Sequence, residues 1–257
     1  MSEWNAALYM KFGDARTQPA SDLAARIPLD TPEKIIDIGC GAGNSTAVLA
    51  QRFPQADILG VDCSEEMIAA AKKAHPALAF ALLDAQSELS RLRTEYDVVF
   101  SNACIQWIPD HTNLLPKMFS LLRPGGVMAL QVPANGSAPL YRAIEEEAAS
   151  GKWAFSHAAH ETNGILLPGE YFNILSGLTD DFSIWETVYY HRMPSHSALL
   201  DWVRATRLRP YLAALSASEG AAFERAILER IAPVYPVQTN GEIIFRFRRL
   251  FLIAAKR

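Results

Sequence analysis

Strand and helix patterns alternate along the first 132 residues, and this alternation restricts the fold more than any other feature. Short apolar runs with strand character occur five times, as EKIIDIG, ADILGVD, LAFALLD, YDVVFSNA and PGGVMALQV. Helical segments such as NSTAVLAQRF, SEEMIAAAKKAH and NLLPKMFSLL lie between them. Because parallel strands need long crossover connections, this order predicts a doubly wound parallel sheet with helices on both faces. LRPGG predicts a turn before the fifth strand, with positive φ at both glycines.

The pattern changes after about residue 132. Residues 138–180 and 196–232 have helical character, and FSIWETVYYHRM and EIIFRFRRLFLIAAKR predict two late strands. We therefore expect a single domain over residues 1–257. It would consist of an N-terminal helical segment (1–30), a nucleotide-binding core (31–132), and late strands with a helical cap (133–257).

Composition and charge argue against several classes of function. The net charge of -4 is unlike that of most nucleic-acid-binding proteins, which carry a basic excess. The three cysteines form no CxxC pair, so we predict neither a zinc site nor a disulfide framework, and free thiols fit a reducing cytosol. Neither a signal peptide nor an apolar run of roughly 18 residues is evident. We expect a cytoplasmic protein without nucleic-acid or membrane partners.

A glycine-dense turn joins the first strand to the first helix in IIDIGCGAGNS. Gly39, Gly41 and Gly43 allow the backbone to approach a ligand without an intervening Cβ atom. In open parallel sheets, ligands bind at the carboxyl ends of the strands, where this turn lies. The spacing is GxGxG, whereas the dinucleotide fingerprint GxGxxG would need a glycine at Asn44. The turn therefore indicates a nucleotide-like ligand, and a tight turn without any ligand is the alternative.

The next strand ends carry further polar or aromatic residues. Asp62 ends the second strand, and an acid there can accept hydrogen bonds from ribose hydroxyls in sites for NAD and for S-adenosylmethionine alike. Asp84 ends the third strand, where it could contact the ligand or cap a helix. After the fourth strand, Asn102 would face the amino-acid part of a ligand and Trp107 would offer a flat apolar wall.

The motifs DIGCGAGNS, VDCS, LLDA and SNACIQWIPD, in that order over residues 33–132, resemble those of the class I S-adenosylmethionine-dependent methyltransferases. The resemblance implies a Rossmann-like, mostly parallel sheet of seven strands, the last of them antiparallel. It also implies that the ligand contacts are Gly39, Gly41 and Gly43 for the methionine portion, Asp62 for the ribose, Asp84 for the adenine, and Asn102 for the methionine carboxylate or ammonium group. The first loop has no basic residue to meet a pyrophosphate, which also counts against NAD.

The sequence favours a carboxylate as methyl acceptor. A hydroxyl or amine acceptor usually requires a general base or a metal ion, and His157 and His160 have no carboxylate partner that would suggest a metal site. A carboxylate is already ionised at neutral pH. The block from Tyr189 to Pro210 is rich in arginine, and arginine forks bind carboxylates well. Its charged residues are Arg192, Asp201, Arg204, Arg207 and Arg209.

Together with SNACIQWIPDH, the motifs SEWNAALYMKFGDART, YYHRMPSH and DWVRATRLRP extend the resemblance to nearly the whole chain, and to the family of methyltransferases that act on trans-aconitate. This implies methylation of one carboxylate of a small tricarboxylate by S-adenosylmethionine, with S-adenosylhomocysteine as co-product. We expect the protein to be a monomer. The sequence departs from the family pattern at Arg207, where a glycine is expected, and Arg207 is therefore not assigned to the substrate.

Three carboxylates in a partly dry pocket require cations. We expect Arg192 and Arg209 to hold the two carboxylates that do not react, and Tyr190 or His191 to contact the reacting one with weaker donors. Along a strand, Tyr190 and Arg192 share a face and His191 takes the other, while Arg204 could simply pair with Asp201 on a helix. An N-terminal lid would close over the site and contribute Trp4, with Tyr9 contacting the substrate and Arg16 contacting the cofactor. No residue is assigned as a general base.

Two alternatives remain open at this point. A carboxyl methyltransferase acting on another acid, such as a malonyl thioester, would also suit SNACIQWIPD. A binding protein of the same fold could sense S-adenosylmethionine without catalysis, although it would not need a shaped pocket for an acid.

Overall fold

The structure, a computed structural model, describes residues 13–155, 164–204 and 206–257, with the backbone alone described for residues 13–16. Seven strands form one sheet. They are Lys34–Ile38 (β1), Asp57–Asp62 (β2), Ala79–Leu82 (β3), Tyr96–Asn102 (β4), Leu122–Pro133 (β5), Phe182–Met193 (β6) and Ile243–Ala255 (β7).

Helices follow most of the strands. In the described ranges the α-helices are Gly13–Ala25 (α1), Asn44–Arg52 (α2), Glu65–Ala74 (α3), His111–Ser120 (α4), Pro139–Ala148 (α5), Pro168–Ser176 (α6), His196–Arg204 (α7), Arg209–Ala214 (α8) and Ala217–Ile231 (α9). None of these helices is long and apolar enough to cross a membrane.

The chain divides into two compact units. One, termed the sheet unit, includes residues 16–133, 164–187 and 249–257, and the other, termed the helical unit, includes residues 134–155, 188–204 and 206–248. The strands β6 and β7 thus each contribute residues to both units.

The sheet has the order β3-β2-β1-β4-β5-β7-β6. Strand β1 pairs in parallel with β2 on one side and β4 on the other, and the pairs β2–β3 and β4–β5 are parallel as well. Ile35, Ile36 and Ile38 of β1 are completely buried, as expected for a parallel strand covered by helices on both faces. The predicted doubly wound, mostly parallel sheet is confirmed.

Strand β7 runs antiparallel to β5, which confirms the orientation that the resemblance implied. Within the sheet unit, Trp185 of β6 stacks on Phe251 of β7 with ring centroids 5.1 Å apart. The Arg26 guanidinium, just after α1, lies 4.5 Å from the centre of the Trp185 ring. These contacts join the end of α1 to the late strands.

The turn predicted at LRPGG is wrong. Strand β5 already begins at Leu122, and Gly125 alone of the two glycines has a positive φ, 79°. A Cβ atom on Gly126 would lie 2.9 Å from the carbonyl oxygen of Tyr96, so the backbones approach closely here. The β4–β5 register shifts between Tyr96 and Val98, which indicates that the strand absorbs the glycines in a bulge.

The helical unit has an aromatic core of its own, which includes Trp202, Tyr211, Phe223, Phe245 and Phe247. One carboxylate is buried beside it. Glu147 accepts hydrogen bonds from Trp153 Nε1 at 3.0 Å and from Arg230 Nε at 2.8 Å. Burial raises the pKa of Glu147, but these hydrogen bonds outweigh burial and hold the pKa below its usual value.

Candidate active site

The topology places a crevice at the carboxyl ends of β1 and β4. From β1 the chain builds β2 and β3 on one side, then crosses back to build β4 and β5 on the other. At such a switch point the loops diverge, and ligands of open parallel sheets bind between them. The glycine turn and the residues that follow β2, β3 and β4 all lie at this edge of the sheet unit.

The first glycine of the turn is required by the protein itself. The backbone N–H groups of Gly39 and Cys40 both donate to the carbonyl oxygen of Val61 in β2, at 2.8 and 3.0 Å. Gly39 has a φ of 76°, and a Cβ atom there would overlap the side chain of Cys104. The loop after β4 thus packs directly against the turn after β1.

The second glycine faces open space. Apart from Gly41 and its two chain neighbours, no described residue has an atom within 4 Å of a Cβ atom built on Gly41. Its N–H donates to Asp62 Oδ2 at 2.9 Å, while Asp62 Oδ1 accepts from the Ser64 N–H, also at 2.9 Å. Because each carboxylate oxygen has two acceptor positions, both oxygens can still accept from a ligand. This geometry is compatible with the predicted ribose contact.

Asp84 shapes the turn after β3. Its Oδ1 accepts from the Gln86 N–H at 2.9 Å, and its Oδ2 accepts from Ser87 Oγ at 2.7 Å. This is the capping alternative in a different form, since Asp84 stabilises an Asx-type turn and not an α-helix. Each oxygen keeps an acceptor position, so the adenine contact stays a prediction.

The chain bends sharply after β4, where Ala103 has a φ of 53° and the short 3₁₀-helix Ile105–Trp107 begins two residues later. Asn102 Oδ1 and Gln106 Oε1 are buried and accept no hydrogen bond from any described residue. A buried acceptor without a donor costs roughly 1–3 kcal/mol. Two such oxygens fit a ligand that donates hydrogen bonds, such as an ammonium group. Trp107 remains 43% exposed, as a wall of a ligand site would be.

The residues of β6 that are predicted to bind the methyl acceptor lie in the helical unit. Tyr190 is 66% exposed, and the Arg192 side chain is 76% exposed with its Nε 2.7 Å from Glu242 Oε2. His191 has the opposite orientation, with its ring 4.8 Å from that of Trp202. The predicted alternation of these three residues is confirmed. A substrate carboxylate at Arg192 would have to displace Glu242.

The arginines of α7 and α8 have different surroundings. Arg204 pairs with Asp201, which is the helix pair that the sequence allowed, and its Nε also donates to Glu224 at 2.7 Å. Arg209 is the first residue of α8.

Arg207 has a side chain that is only 11% exposed, although the family pattern predicts a glycine there. Its Nη2 lies 2.5 Å from Glu145 Oε1, so the added charge is paired within the helical unit.

Trp4 and Tyr9 lie outside the described residues, as do His157 and His160, and Arg16 belongs to α1 with its side chain outside the description. Within the described ranges, no three His, Cys, Asp or Glu side chains are grouped so that they could hold a metal ion.

Comparison with known proteins identifies the family. Residues 35–126 match a family described as a methyltransferase domain. A trans-aconitate 2-methyltransferase from Methylobacterium radiotolerans is 43% identical over 260 residues, which cover 100% of this chain and 99% of that protein. The Escherichia coli trans-aconitate 2-methyltransferase is 41% identical over 256 residues, with coverage of 100% and 99%.

This chain belongs to the trans-aconitate 2-methyltransferase family. Solved structures agree with its fold. The YcgJ protein of Bacillus subtilis has a TM-score of 0.63 at 14% identity, over 93% of this chain and 99% of that one. Phosphoethanolamine N-methyltransferase 2 of Haemonchus contortus, solved with phosphomonomethylethanolamine and S-adenosylhomocysteine, has a TM-score of 0.58 at 18% identity, over 93% and 53%. The predicted class I methyltransferase fold and the predicted family are confirmed.

The sequence patterns did not predict a role for one polar residue of this trans-aconitate 2-methyltransferase family member. Asp37 lies within β1 and is completely buried. Its Oδ2 accepts from Ser45 Oγ at 2.6 Å and Thr46 Oγ1 at 2.7 Å, while its Oδ1 has no hydrogen-bond partner among the described residues. Burial raises the pKa of Asp37 from 3.8 to about 6, against the opposing effect of the two hydroxyls. An acid inside an apolar strand was the available signal.

We predict that Asp37→Asn flattens the pH dependence of stability. Because the native pKa is about 6 and the ordinary value is 3.8, the folded protein binds more protons than the unfolded chain between these values. Its free energy of unfolding therefore falls as the pH rises from about 4 to about 6, by up to roughly 3 kcal/mol. Asparagine keeps an oxygen for Ser45 and Thr46 without the buried charge.

Chemical denaturation of both proteins at about pH 4.5 and about pH 7.5 measures this effect. The free energy of unfolding of Asp37→Asn minus that of the wild type should be larger at the higher pH than at the lower pH. Glu66→Gln, which changes an exposed carboxyl in α3, is the control. The same difference from the wild type at both pH values would contradict the assignment.

A buried histidine supports the loop after β4 in this family member. His111 Nε2 lies 2.7 Å from the carbonyl oxygen of Ile105, and its Nδ1 lies 2.8 Å from the Tyr171 hydroxyl. Since a carbonyl oxygen only accepts, Nε2 carries the hydrogen, and in the neutral ring Nδ1 accepts from the tyrosine. His111 thereby ties the 3₁₀-helix that carries Trp107 to α6. No sequence pattern predicts this pairing, because Tyr171 lies 60 residues away.

Proposed function

We propose that this protein transfers a methyl group from S-adenosylmethionine to one carboxylate of trans-aconitate, giving a monomethyl ester and S-adenosylhomocysteine. The supporting observation is the 41–43% identity to trans-aconitate 2-methyltransferases over the full chain. The identity includes the second half, which the general methyltransferase match over residues 35–126 does not reach. Acceptor specificity resides in the site and not in the fold, so this full coverage favours the acceptor of these relatives.

For the cofactor, we assign Asp62 to the ribose hydroxyls, Asp84 to the adenine and Asn102 to the methionine ammonium group. The open side of Gly41 and the unsatisfied oxygen of Asn102 support this assignment, since both fit a polar ligand lying along the turn. The proposed set is completed by Gly39, Gly43, Trp107 and Arg16.

S-adenosylmethionine supplies an electrophilic methyl group on a sulfonium. The protein then has to align an ionised carboxylate with that methyl group and keep water out. A carboxylate needs no general base at neutral pH, and none is assigned. In this proposal Arg209 and Arg192 hold carboxylates that do not react, with Arg192 exchanging Glu242 for the substrate. The weaker donor at the reacting carboxylate is Tyr190 or His191, and Tyr9 also contacts the substrate.

The direct test is product mass after incubation with S-adenosylmethionine and a panel of acids: both aconitate isomers, citrate and a malonyl thioester. We expect a monomethyl ester of trans-aconitate. Turnover of the malonyl thioester alone would support the carboxyl methyltransferase alternative. Cofactor binding without any ester would support the sensor alternative, and either result would contradict the proposal.

We predict that Arg209→Ala raises the KM for trans-aconitate by roughly 10- to 100-fold, because a charge-assisted hydrogen bond to a carboxylate is lost. S-adenosylhomocysteine affinity should change by no more than about twofold. Steady-state kinetics and calorimetry measure the two quantities. Arg225→Ala, an exposed arginine of α9, is the matched control. A fall in cofactor affinity with an unchanged KM would show that Arg209 is misassigned.

We also propose that the enzyme acts as a cytoplasmic monomer. Cys40, Cys63 and Cys104 are free thiols, which a reducing compartment maintains. A small polycarboxylate substrate requires neither a nucleic acid nor a membrane as partner. Light scattering on the purified protein measures the oligomeric state.

A further inference from the structure

A buried polar pair lies on β5 and β7, outside the roles assigned above. Gln131 is completely buried and Arg249 is 4% exposed. Arg249 Nη1 donates to Gln131 Oε1 at 3.2 Å. The amide nitrogen of Gln131, Nε2, is buried and donates to no described residue.

The register of the sheet places this pair beside the proposed cofactor site. Gln131 is the partner of Asn102 in the β4–β5 pairing, and its carbonyl oxygen accepts from the Ala103 N–H at 2.9 Å. Arg249 is the partner of Pro133, two residues beyond Gln131. Residues that pair across strands, and residues two apart along a strand, have their side chains on the same face of a sheet. The side chains of Gln131 and Arg249 therefore lie on the same face as that of Asn102. All of these residues belong to the sheet unit.

The pair presents hydrogen-bond donors of the kind that an anion needs. An unsatisfied buried N–H group is costly, so the Gln131 Nε2 position favours a ligand with an acceptor oxygen. A guanidinium adds a positive charge and a planar fork that matches the two oxygens of a carboxylate. Asn102 differs, since its unsatisfied atom is an acceptor. The face therefore changes from accepting at β4 to donating at β5.

We propose that Gln131 and Arg249 form a subsite for one carboxylate of the acceptor that does not react, in place of Arg192, whose guanidinium is paired with Glu242. This inference rests on the proposed function. The subsite lies next to the strand end assigned to the methionine ammonium group, so a carboxylate held there is positioned relative to the bound cofactor. The reacting carboxylate is held elsewhere, because a guanidinium on the attacking oxygen would withdraw its electron density.

Arg249→Gln and Gln131→Met test the subsite, with Arg246→Gln as the control because Arg246 is an exposed arginine of the same strand. Calorimetry first measures S-adenosylhomocysteine binding, and then trans-aconitate binding to that non-reacting complex. Arg249→Gln should weaken trans-aconitate binding by roughly 10- to 100-fold and Gln131→Met by roughly 3- to 10-fold. Cofactor affinity, and both affinities of Arg246→Gln, should stay within about twofold of wild type.

Monoamides of trans-aconitate separate binding from a structural role. For the wild type, one monoamide, lacking the contacted carboxylate, should bind more weakly than trans-aconitate. In Arg249→Gln and Gln131→Met, this difference should shrink or vanish. A purely structural role would weaken all ligands by the same factor and leave the difference intact, which would overturn the subsite.

Failure of this inference and failure of the proposed function give different results. If the wild type methylates trans-aconitate while Arg249→Gln keeps the wild-type discrimination among the monoamides, only the subsite is overturned. If the wild type methylates another acid, the proposed function is overturned, and the same comparison with amides of that acid decides the subsite. If no carboxylic acid binds, both are overturned.

Discussion

Gly39→Ala should destabilise the protein severely, whereas Gly41→Ala should leave it folded and impair cofactor binding. Both glycines have a positive φ, 76° and 54°, which costs an alanine roughly 1 kcal/mol or more at either position. The difference between them is spatial. An alanine methyl group at 39 would overlap the Sγ and Cβ atoms of Cys104. At 41 it meets no atom within 4 Å among the described residues beyond its two chain neighbours.

For Gly39→Ala, the overlap forces the loops after β1 and β4 apart, and we expect a loss of roughly 3 kcal/mol or more in the free energy of unfolding. For Gly41→Ala, the methyl group enters the open space that we propose for the ligand. We expect the dissociation constant of S-adenosylhomocysteine to rise at least about tenfold. Denaturation and calorimetry on the two variants measure these quantities.

Second substitutions at Cys104 show whether the overlap is the cause. Cys104→Ala should not rescue Gly39→Ala, because the Cβ atom of residue 104 is itself too close. Cys104→Gly removes that atom. The loss in free energy of unfolding that Gly39→Ala causes should therefore be smaller when it is introduced into Cys104→Gly than into the wild type. Equal stability losses in Gly39→Ala and Gly41→Ala would contradict the packing explanation.

The features predicted well from the sequence are those that depend on local pattern. The segment FSIWETVYYHRM coincides with β6, because β-branched and aromatic residues concentrate where a strand forms. The alternation of Tyr190 and His191 followed from the two-residue period of a strand. The bulge at Gly125 was missed, because glycine is equally compatible with a turn and with a bulge, and only the neighbouring strand decides between them.

The polar pairings of the site could not be predicted, because each joins residues that are distant in sequence. Gln131 and Arg249 are 118 residues apart, and Arg192 and Glu242 are 50 apart. Neither pair has a spacing that a single helix or strand would reveal. Arg192 accordingly looked like a substrate ligand, whereas the structure pairs it with Glu242, the residue just before β7.

Asp62→Ala should have the largest effect on the cofactor. The loss includes two backbone hydrogen bonds, from Gly41 and Ser64, and the proposed bonds from the ribose hydroxyls. Since hydrogen bonds to charged groups contribute roughly 1.5–3 kcal/mol each, we expect the dissociation constant of S-adenosylhomocysteine to rise about 100-fold. The turnover number at saturating cofactor should fall much less, because Asp62 is assigned to the cofactor and not to the acceptor.

A cofactor analogue without the ribose 2′-hydroxyl separates the ligand contact from the support of the turn. The wild type should bind S-adenosylhomocysteine more tightly than this analogue, and Asp62→Ala should lose most of that preference. Asp62→Asn should behave similarly, since its amide nitrogen cannot accept a hydrogen bond. Asp84→Ala is the matched control and should keep the preference, because Asp84 is assigned to the adenine. If Asp62→Ala bound both ligands with the wild-type ratio, Asp62 would serve only to hold Gly41 and Ser64 in place.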